Sequence, residues 1–172
     1  MGTEQDIKAA AIRVEEKIRR RPSLGRLSKS CKASVTDGLT CEIQDQGWTL
    51  TADMKRNLGG NDTGPDPSVY GRAAISSCLA IGYAHWFARL DVPVNTIEVE
   101  LEADFDYGAA LGVSDTSPAY TGIRFSVTVD SPASETDVMH VLDTSDAHSP
   151  WLANMRTPIA VERTVRNATV AA

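Results

Sequence analysis

Gly59-Gly60-Asn61-Asp62-Thr63-Gly64-Pro65-Asp66-Pro67 leads straight into a nearly uncharged stretch, Pro67 to Leu90, that carries Cys78 near its middle. Asp66 followed by Pro67 reads as a helix start, a capping carboxylate and then a residue whose fixed φ suits the first turn. Val69, Ala73, Ala74, Ile75, Leu79, Ala80, Ile81, Ala84, Trp86 and Phe87 make that helix apolar over most of its circumference. Such a helix is expected to be central and buried. Ala74 and Gly82, four residues either side of Cys78, leave room for another element beside the sulfur. A lone thiol there has two readings, a reactive sulfur or a small packed hydrophobe, and position alone does not choose between them.

Upstream, Ile7, Ala10, Ala11, Val14 and Ile18 fall at helical spacing, with Thr3 and Asp6 placed as a capping pair and Pro22 as the stop. Arg21 to Ser30 is a basic, polar connector. Ser30 to Val35 and Thr40 to Gln44 flank the turn pair Asp37-Gly38, and Trp48 to Met54 follows Gly47, which predicts a three-strand meander. Downstream, Thr96 to Asp104 alternates apolar residues with Glu98, Glu100, Glu102 and Asp104, a strand with one wet face. Ile123, Phe125, Val127 and Val129 repeat the alternation after a long loop, about Tyr107 to Tyr120, whose length marks it for function or partner contact. Ser134 and Asp137 open a helix through Leu142, Ser149-Pro150 opens a short one to Met155, and Ile159 to Val165 reads as a closing strand. Residues 1–29 then form an N-terminal helix and connector, and 30–172 a single domain. The order implies an α+β fold, helices against one face of a mainly antiparallel sheet.

A chain of 172 residues is long enough for one domain with its own core. A net charge of -6 argues against nucleic acid, which demands clustered Lys and Arg, and the Arg19-Arg20-Arg21 cluster complements a helix C-terminus. No apolar run approaches the roughly 20 residues of a membrane span, and the polar, acidic start lacks a secretory core, so the expected location is cytoplasmic. Asn61-Asp62-Thr63 and Asn167-Ala168-Thr169 match glycosylation acceptors that a cytoplasmic chain does not use. Cys31, Cys41 and Cys78 form neither a disulfide scaffold nor a zinc motif. No phosphate loop, GxSxG elbow or HExxH helix is present, so neither cofactor nor metal is expected.

The glycine- and proline-marked segment, its spacing to Ser77-Cys78 on a long helix and the element order resemble the OsmC/Ohr family of osmotically induced and organic-hydroperoxide-resistance proteins, over about Ser30 to Val165. The resemblance implies an intertwined homodimer with two central cysteine helices wrapped by sheets and a site at the subunit interface. It also implies a thiol peroxidase: a first cysteine becomes a sulfenic acid, a second resolves it, and an arginine and a glutamate hold the thiolate.

Carried over, Cys78 matches the peroxidatic cysteine. The second cysteine's Cys-Pro pair reads Ser149-Pro150 here, after His148; the glutamate's place after Pro67 holds Ser68, with Asp66 on the other side. Arg26 is the nearest arginine and Arg56 a second. His85, seven residues beyond Cys78 on the same face, is about 10 Å away. Two functions follow as expectations. One is a one-cysteine peroxidase, Cys78 with Arg26, that takes organic hydroperoxides against Asp66, Ser68, His85, His148 and Ser149 and borrows an external thiol. The other is a dimer that binds a small apolar ligand in its interfacial cavity without chemistry. Cys31 or Cys41 as a substitute resolving thiol stays open.

Overall fold

Thr3 begins the computed structural model, which describes residues 3–166. The triplet at Asn167 and the end of the expected domain lie outside that range. The Thr3 hydroxyl accepts from the Asp6 amide while the Asp6 carboxylate accepts from the Thr3 amide, the capping box read from the sequence. It opens helix α1 (Glu4–Arg20), and a single 3-10 turn, Pro22–Gly25, follows.

Strands β1 (Lys32–Asp37), β2 (Thr40–Asp45) and β3 (Trp48–Ala52) form the antiparallel meander. Its first turn falls one residue later than Asp37-Gly38, because Asp37 still pairs with Thr40 and Gly38 takes the left-handed position, φ +55°. Gln46 and Gly47 make the second turn at φ 47° and 87°, the mirror-image geometry that suits a two-residue hairpin.

Asp66 then caps helix α2 (Pro67–Arg89), as its place before Pro67 predicts. Strand β4 (Thr96–Phe105) pairs antiparallel with β5 (Tyr120–Asp130). Between them lies a short helix, α3 (Tyr107–Ala110), and helices α4 (Glu135–Ala147) and α5 (Pro150–Arg156) close the order. The long loop is organised by Asp106, which caps α3 and accepts from the Ser114 and Thr116 hydroxyls; those bonds bring its carboxyl down to about 2.

The core lies between α2, the β4–β5 sheet and α4. Ile75, Leu79, Tyr83 and Phe87 recur at four-residue spacing on α2 and pack with Val141 and Leu152, over the inward residues Val99, Leu101, Ile123 and Phe125. The acidic row of β4 faces outward as expected, and Arg124 bridges Glu102 and Asp104 across the strands.

Two expectations are corrected. The strands form two separate sheets, β1-β2-β3 and β4-β5, rather than one. Ile159 to Val165 is not a strand: no described strand edge pairs with it, and Val161 stands 91% exposed. Within the single chain, helix α2 buries one stripe, and Ile81, Ala73 and Ser77 on its other side are exposed, Ile81 to 70%. The chain exposes 13120 Å². A compact monomer of its 18.5 kDa would expose roughly 8,200 Å².

Candidate functional site at the start of the cysteine helix

The glycine segment is fixed from below by an acid that sequence reading passed over. Asp53, one residue beyond β3 and 1% exposed, accepts from the hydroxyls of Thr40 (3.0 Å) and Thr63 (2.7 Å) and from the amides of Met54, Asn61 and Thr63. These bonds, the Thr63 hydroxyl first, hold its carboxyl far below the ordinary range. Gly60 and Gly64 lie against the meander backbone; a Cβ on Gly60 would stand 1.9 Å from the Met54 carbonyl oxygen. The clamp sets where α2 begins. Its sequence signal was an isolated acid at a strand end with threonines on both sides.

At the helix start, the Asp66 carboxylate accepts from the Ser68 amide (2.9 Å) and hydroxyl, and Arg72 donates to the Ser68 hydroxyl oxygen (2.9 Å). The Ser68 hydroxyl is the main cause of a lowered Asp66 pKa, with Arg72 adding a smaller pull. Asp66 therefore serves as cap and as anchor of Ser68. Ser68 lines a cavity of about 560 Å³ with Phe105, Pro118, Ala119, Tyr120, Asn154 and Met155. A second, of about 350 Å³, shares Tyr120 and Met155 with it and adds Ile75, Ile123, Phe125, Leu152 and Arg156. The two adjoin at these shared residues and form a cleft lined mainly by apolar side chains, the usual make-up of a small-molecule site.

Cys78 is half-buried and unpaired, three residues beyond Ile75, so it sits about one turn from the cleft wall. The glycines on its side of α2 admit close neighbours: a Cβ on Gly82 would lie 3.2 Å from the Ser145 hydroxyl oxygen, and one on Gly71 3.4 Å from that of Tyr120. The expectation that Gly82 lets another element approach is met by α4.

The other candidate residues scatter. Ser149 caps α5 by accepting from the Leu152 amide (3.3 Å), and it is buried, so its hydroxyl has a structural task beside the cleft. His148 is exposed, its ring tilted on Trp86 at 4.9 Å and its Nδ1–H donating to the Thr144 carbonyl at 2.8 Å. His85 faces α1 instead, in a groove of about 540 Å³ with Ile7, Val14, Ile18, Glu15 and Arg89. Burial and then the Arg89 charge lower its pKa. Arg26 is exposed in the connector, where its backbone amide donates to the Ser23 carbonyl at 3.2 Å, and Arg56 is exposed in the turn Arg56–Leu58. The structure thus places Ser68, held by Asp66, in the cleft with Leu152, Asn154, Met155 and Arg156 of α5, keeps Cys78 a turn away from its lining, and leaves Ser149, His148, His85 and Arg26 outside it. Arg72, Tyr120 and Met155 enter the site without having been singled out; an arginine four residues after Ser68 was the readable clue.

Among the described residues, no group of three or more His, Cys, Asp or Glu side chains is placed to hold a metal, and no helix is long and apolar enough to cross a membrane. The family model for OsmC-like protein matches residues 59–164, well over half the chain and including the glycine segment, Cys78 and Ser149. The chain belongs to the OsmC-like family. Its fold is that of an OsmC-like protein from Mycoplasma pneumoniae (TM-score 0.65, 12% identity, covering 76% of this chain and 88% of that one). It is similar also to an organic hydroperoxide resistance protein OsmC from Legionella pneumophila (0.57, 14%, 76% and 90%). A third likeness is to a Vibrio cholerae organic hydroperoxide resistance protein with captopril bound in one of its active sites (0.51, 14%, 76% and 85%). No curated protein matches in sequence. At these identities the OsmC-like fold is what the structures share.

Proposed function

We propose that this OsmC-like chain is a cytoplasmic homodimer that reduces organic hydroperoxides with Cys78 in oxidative-stress defence. The observation that carries the reading is a half-buried free thiol one turn from an apolar cleft, on the matched segment of the family. The cleft takes the organic group. The Cys78 thiolate attacks the outer peroxide oxygen, the O–O bond breaks, and the alkoxide leaves with the electron pair and is protonated to the alcohol. Cys78 is left as the sulfenic acid. Two external thiols then restore it, the first displacing water to give a mixed disulfide and the second releasing a small disulfide.

An external reductant suits the chain because Ser149 stands where the family resemblance puts a second cysteine. Cys31 and Cys41 lie on the meander: Cys41 pairs with Val35 and Ala52, while β1 enters the ladder only at Lys32. They are therefore not opposite one another. Homodimerisation is supported by the surface excess, which is more than the roughly 1,000–2,500 Å² that each chain of a permanent dimer buries.

A dimeric apolar-ligand binder without chemistry is the second reading. It is favoured by Ser68, which closes on Asp66 and Arg72 and offers no carboxylate to orient a thiolate. Cumene hydroperoxide consumption with a dithiol reductant, beside sulfenic-acid trapping by dimedone, separates the two. Peroxidase action predicts dimedone on Cys78 and loss of turnover in Cys78→Ser; unchanged turnover in that variant ends the proposal. An unreactive Cys78 with a co-purified apolar molecule in native mass spectrometry supports the binder.

A further inference from the structure

The end of α1 and the connector that follows it lie outside the family-matched segment and form a surface of their own. Lys17, Arg19, Arg20, Arg21, Arg26 and Lys29 succeed one another with no acid between Lys17 and Asp37, in a chain whose net charge is -6. Arg19 and Arg20 reach back to Glu15 and Glu16 at 3.9 and 3.6 Å, whereas Lys17, Arg21, Arg26 and Lys29 have no carboxylate partner among the described residues. Every residue from Arg19 to Ala33 is exposed.

Two leucines stand among these cations, Leu24 at 47% exposure and Leu27 at 75%. Leu24 sits in the 3-10 turn Pro22–Gly25, which Arg21 and Arg26 flank. Hydrogen bonds hold that turn: the Leu24 amide donates to the Arg21 carbonyl at 3.0 Å and the Arg26 amide to that of Ser23 at 3.2 Å. Gly25 lies against α1, where a Cβ would stand 3.3 Å from Ile18 Cγ2. Apolar side chains held out between arginines are costly in water and suit a surface where lipid tails begin beneath anionic headgroups. A nucleic acid fits less well, because residues 1–47 hold no Phe, Tyr or Trp on which a base could stack. A second copy also fits less well, since a two-fold interface sets like residues near like at its axis and this run is cationic throughout.

We propose that residues 17–29 dock this chain on an anionic membrane surface, the leucines entering the interface and the cations meeting the headgroups. The chain lies on the bilayer and does not cross it. Its acidic remainder opposes docking only at short range, because screening limits each charge to about 8 Å at physiological salt. Helix α1 runs antiparallel to α2: Glu4 accepts from the Val94 amide at 3.4 Å, Lys8 pairs with Asp91, Glu15 with Arg89, and Ile18 shares a groove with His85. Its basic end therefore points back along α2 toward Cys78 rather than away from it. The docking stands whether or not that thiol is reactive.

The test is flotation of the full-length chain with vesicles of phosphatidylcholine alone and of phosphatidylcholine carrying about 30% phosphatidylserine. Binding to the anionic vesicles is expected to be about tenfold tighter or more at about 0.1 M salt, and to be lost at about 1 M. Arg21→Glu combined with Arg26→Glu should weaken it about tenfold or more, and Leu27→Ser about threefold. All three side chains are exposed, so both variants should keep the parent's fold and its oligomeric state in sedimentation. Equal binding to the two kinds of vesicle, or full binding by the charge-reversed chain, would overturn the site. A change of oligomeric state in the charge-reversed chain would assign the segment to an interface between copies instead. Tighter binding to a single-stranded RNA, unaffected by Leu27→Ser, would assign it to nucleic acid; either result overturns the membrane docking.

Discussion

The meander and the helix-backed sheet are both antiparallel, yet only one carries its own core. In β4–β5 the inward residues pack on α2 and α4, where Phe87 and Val141 are wholly buried. In β1–β3 the sole buried residue is Ala52, and Val35, Trp48 and Leu50 stand exposed. Three strands hold independently only with a packed hydrophobic face. The meander instead is tied to the rest through Asp53 and the glycine segment, a polar clamp rather than a core. One half of the molecule is stabilised by burial and the other by hydrogen bonds, so the two halves should respond differently to the same kind of damage.

The largest contrast is in truncation. Phe87→Ala removes a fully buried ring and should cost about 3–5 kcal/mol in urea unfolding. Val35→Ala, at a concentration where the chain is monomeric, should stay within about 0.5 kcal/mol. If the proposed homodimer covers the meander, the Val35→Ala cost rises with protein concentration. A cost for Val35→Ala as large as that for Phe87→Ala at every concentration would break the comparison.

Next comes the clamp. Gly60→Ala places a methyl against the Met54 carbonyl, and that backbone has no room to retreat without losing the Asp62 amide it accepts. The expected cost is about 1–3 kcal/mol, as for overpacking elsewhere. Limited proteolysis should show cleavage within residues 55–66 before any loss of the helical signal of α2. Simultaneous loss of both would mean that the meander and the helix unfold as one unit.

The same division explains what could be read from sequence. The α1 capping box, the Asp66–Pro67 start of α2 and the Ser134 cap of α4 are local, each settled by residues within one turn. The β4 and β5 alternation was equally plain, because one face is packed and the other wet. Ile159 to Val165 offers Ile159, Val161 and Val165 at alternate positions, broken by Arg163, and fails as a strand, since such residues supply an apolar face but not a partner edge. Cys78 and Ser68 could be placed from spacing alone. The cleft beside them could not, because Phe105, Tyr120 and Met155 meet there from three elements far apart in the chain. Asp53 was hidden likewise: its donors come from residues 40 to 63, and an acid at a strand end ordinarily means a solvated turn.

The smallest effect sharpens the comparison most, since it touches the clamp's charge and not its shape. The hydrogen bonds to Asp53 depress its folded pKa below the unfolded value of about 3.9. A carboxylate so depressed contributes its full stabilisation above the unfolded pKa and loses it as pH falls toward the folded one. Asp53→Asn keeps an oxygen acceptor for the Thr63 hydroxyl but cannot ionise, so it should be less stable than the parent chain near neutrality. The stability gap should hold from pH 7 down to about pH 4 and shrink below that, as the parent protonates and the variant does not. Urea titrations of the two proteins at matched pH measure it directly. The helix-backed sheet provides the internal control: the gap between the parent and Phe87→Ala, which removes burial alone, should keep its size over the same pH range. An Asp53→Asn gap that also stays constant into acid would show that the clamp works by geometry and owes nothing to the charge.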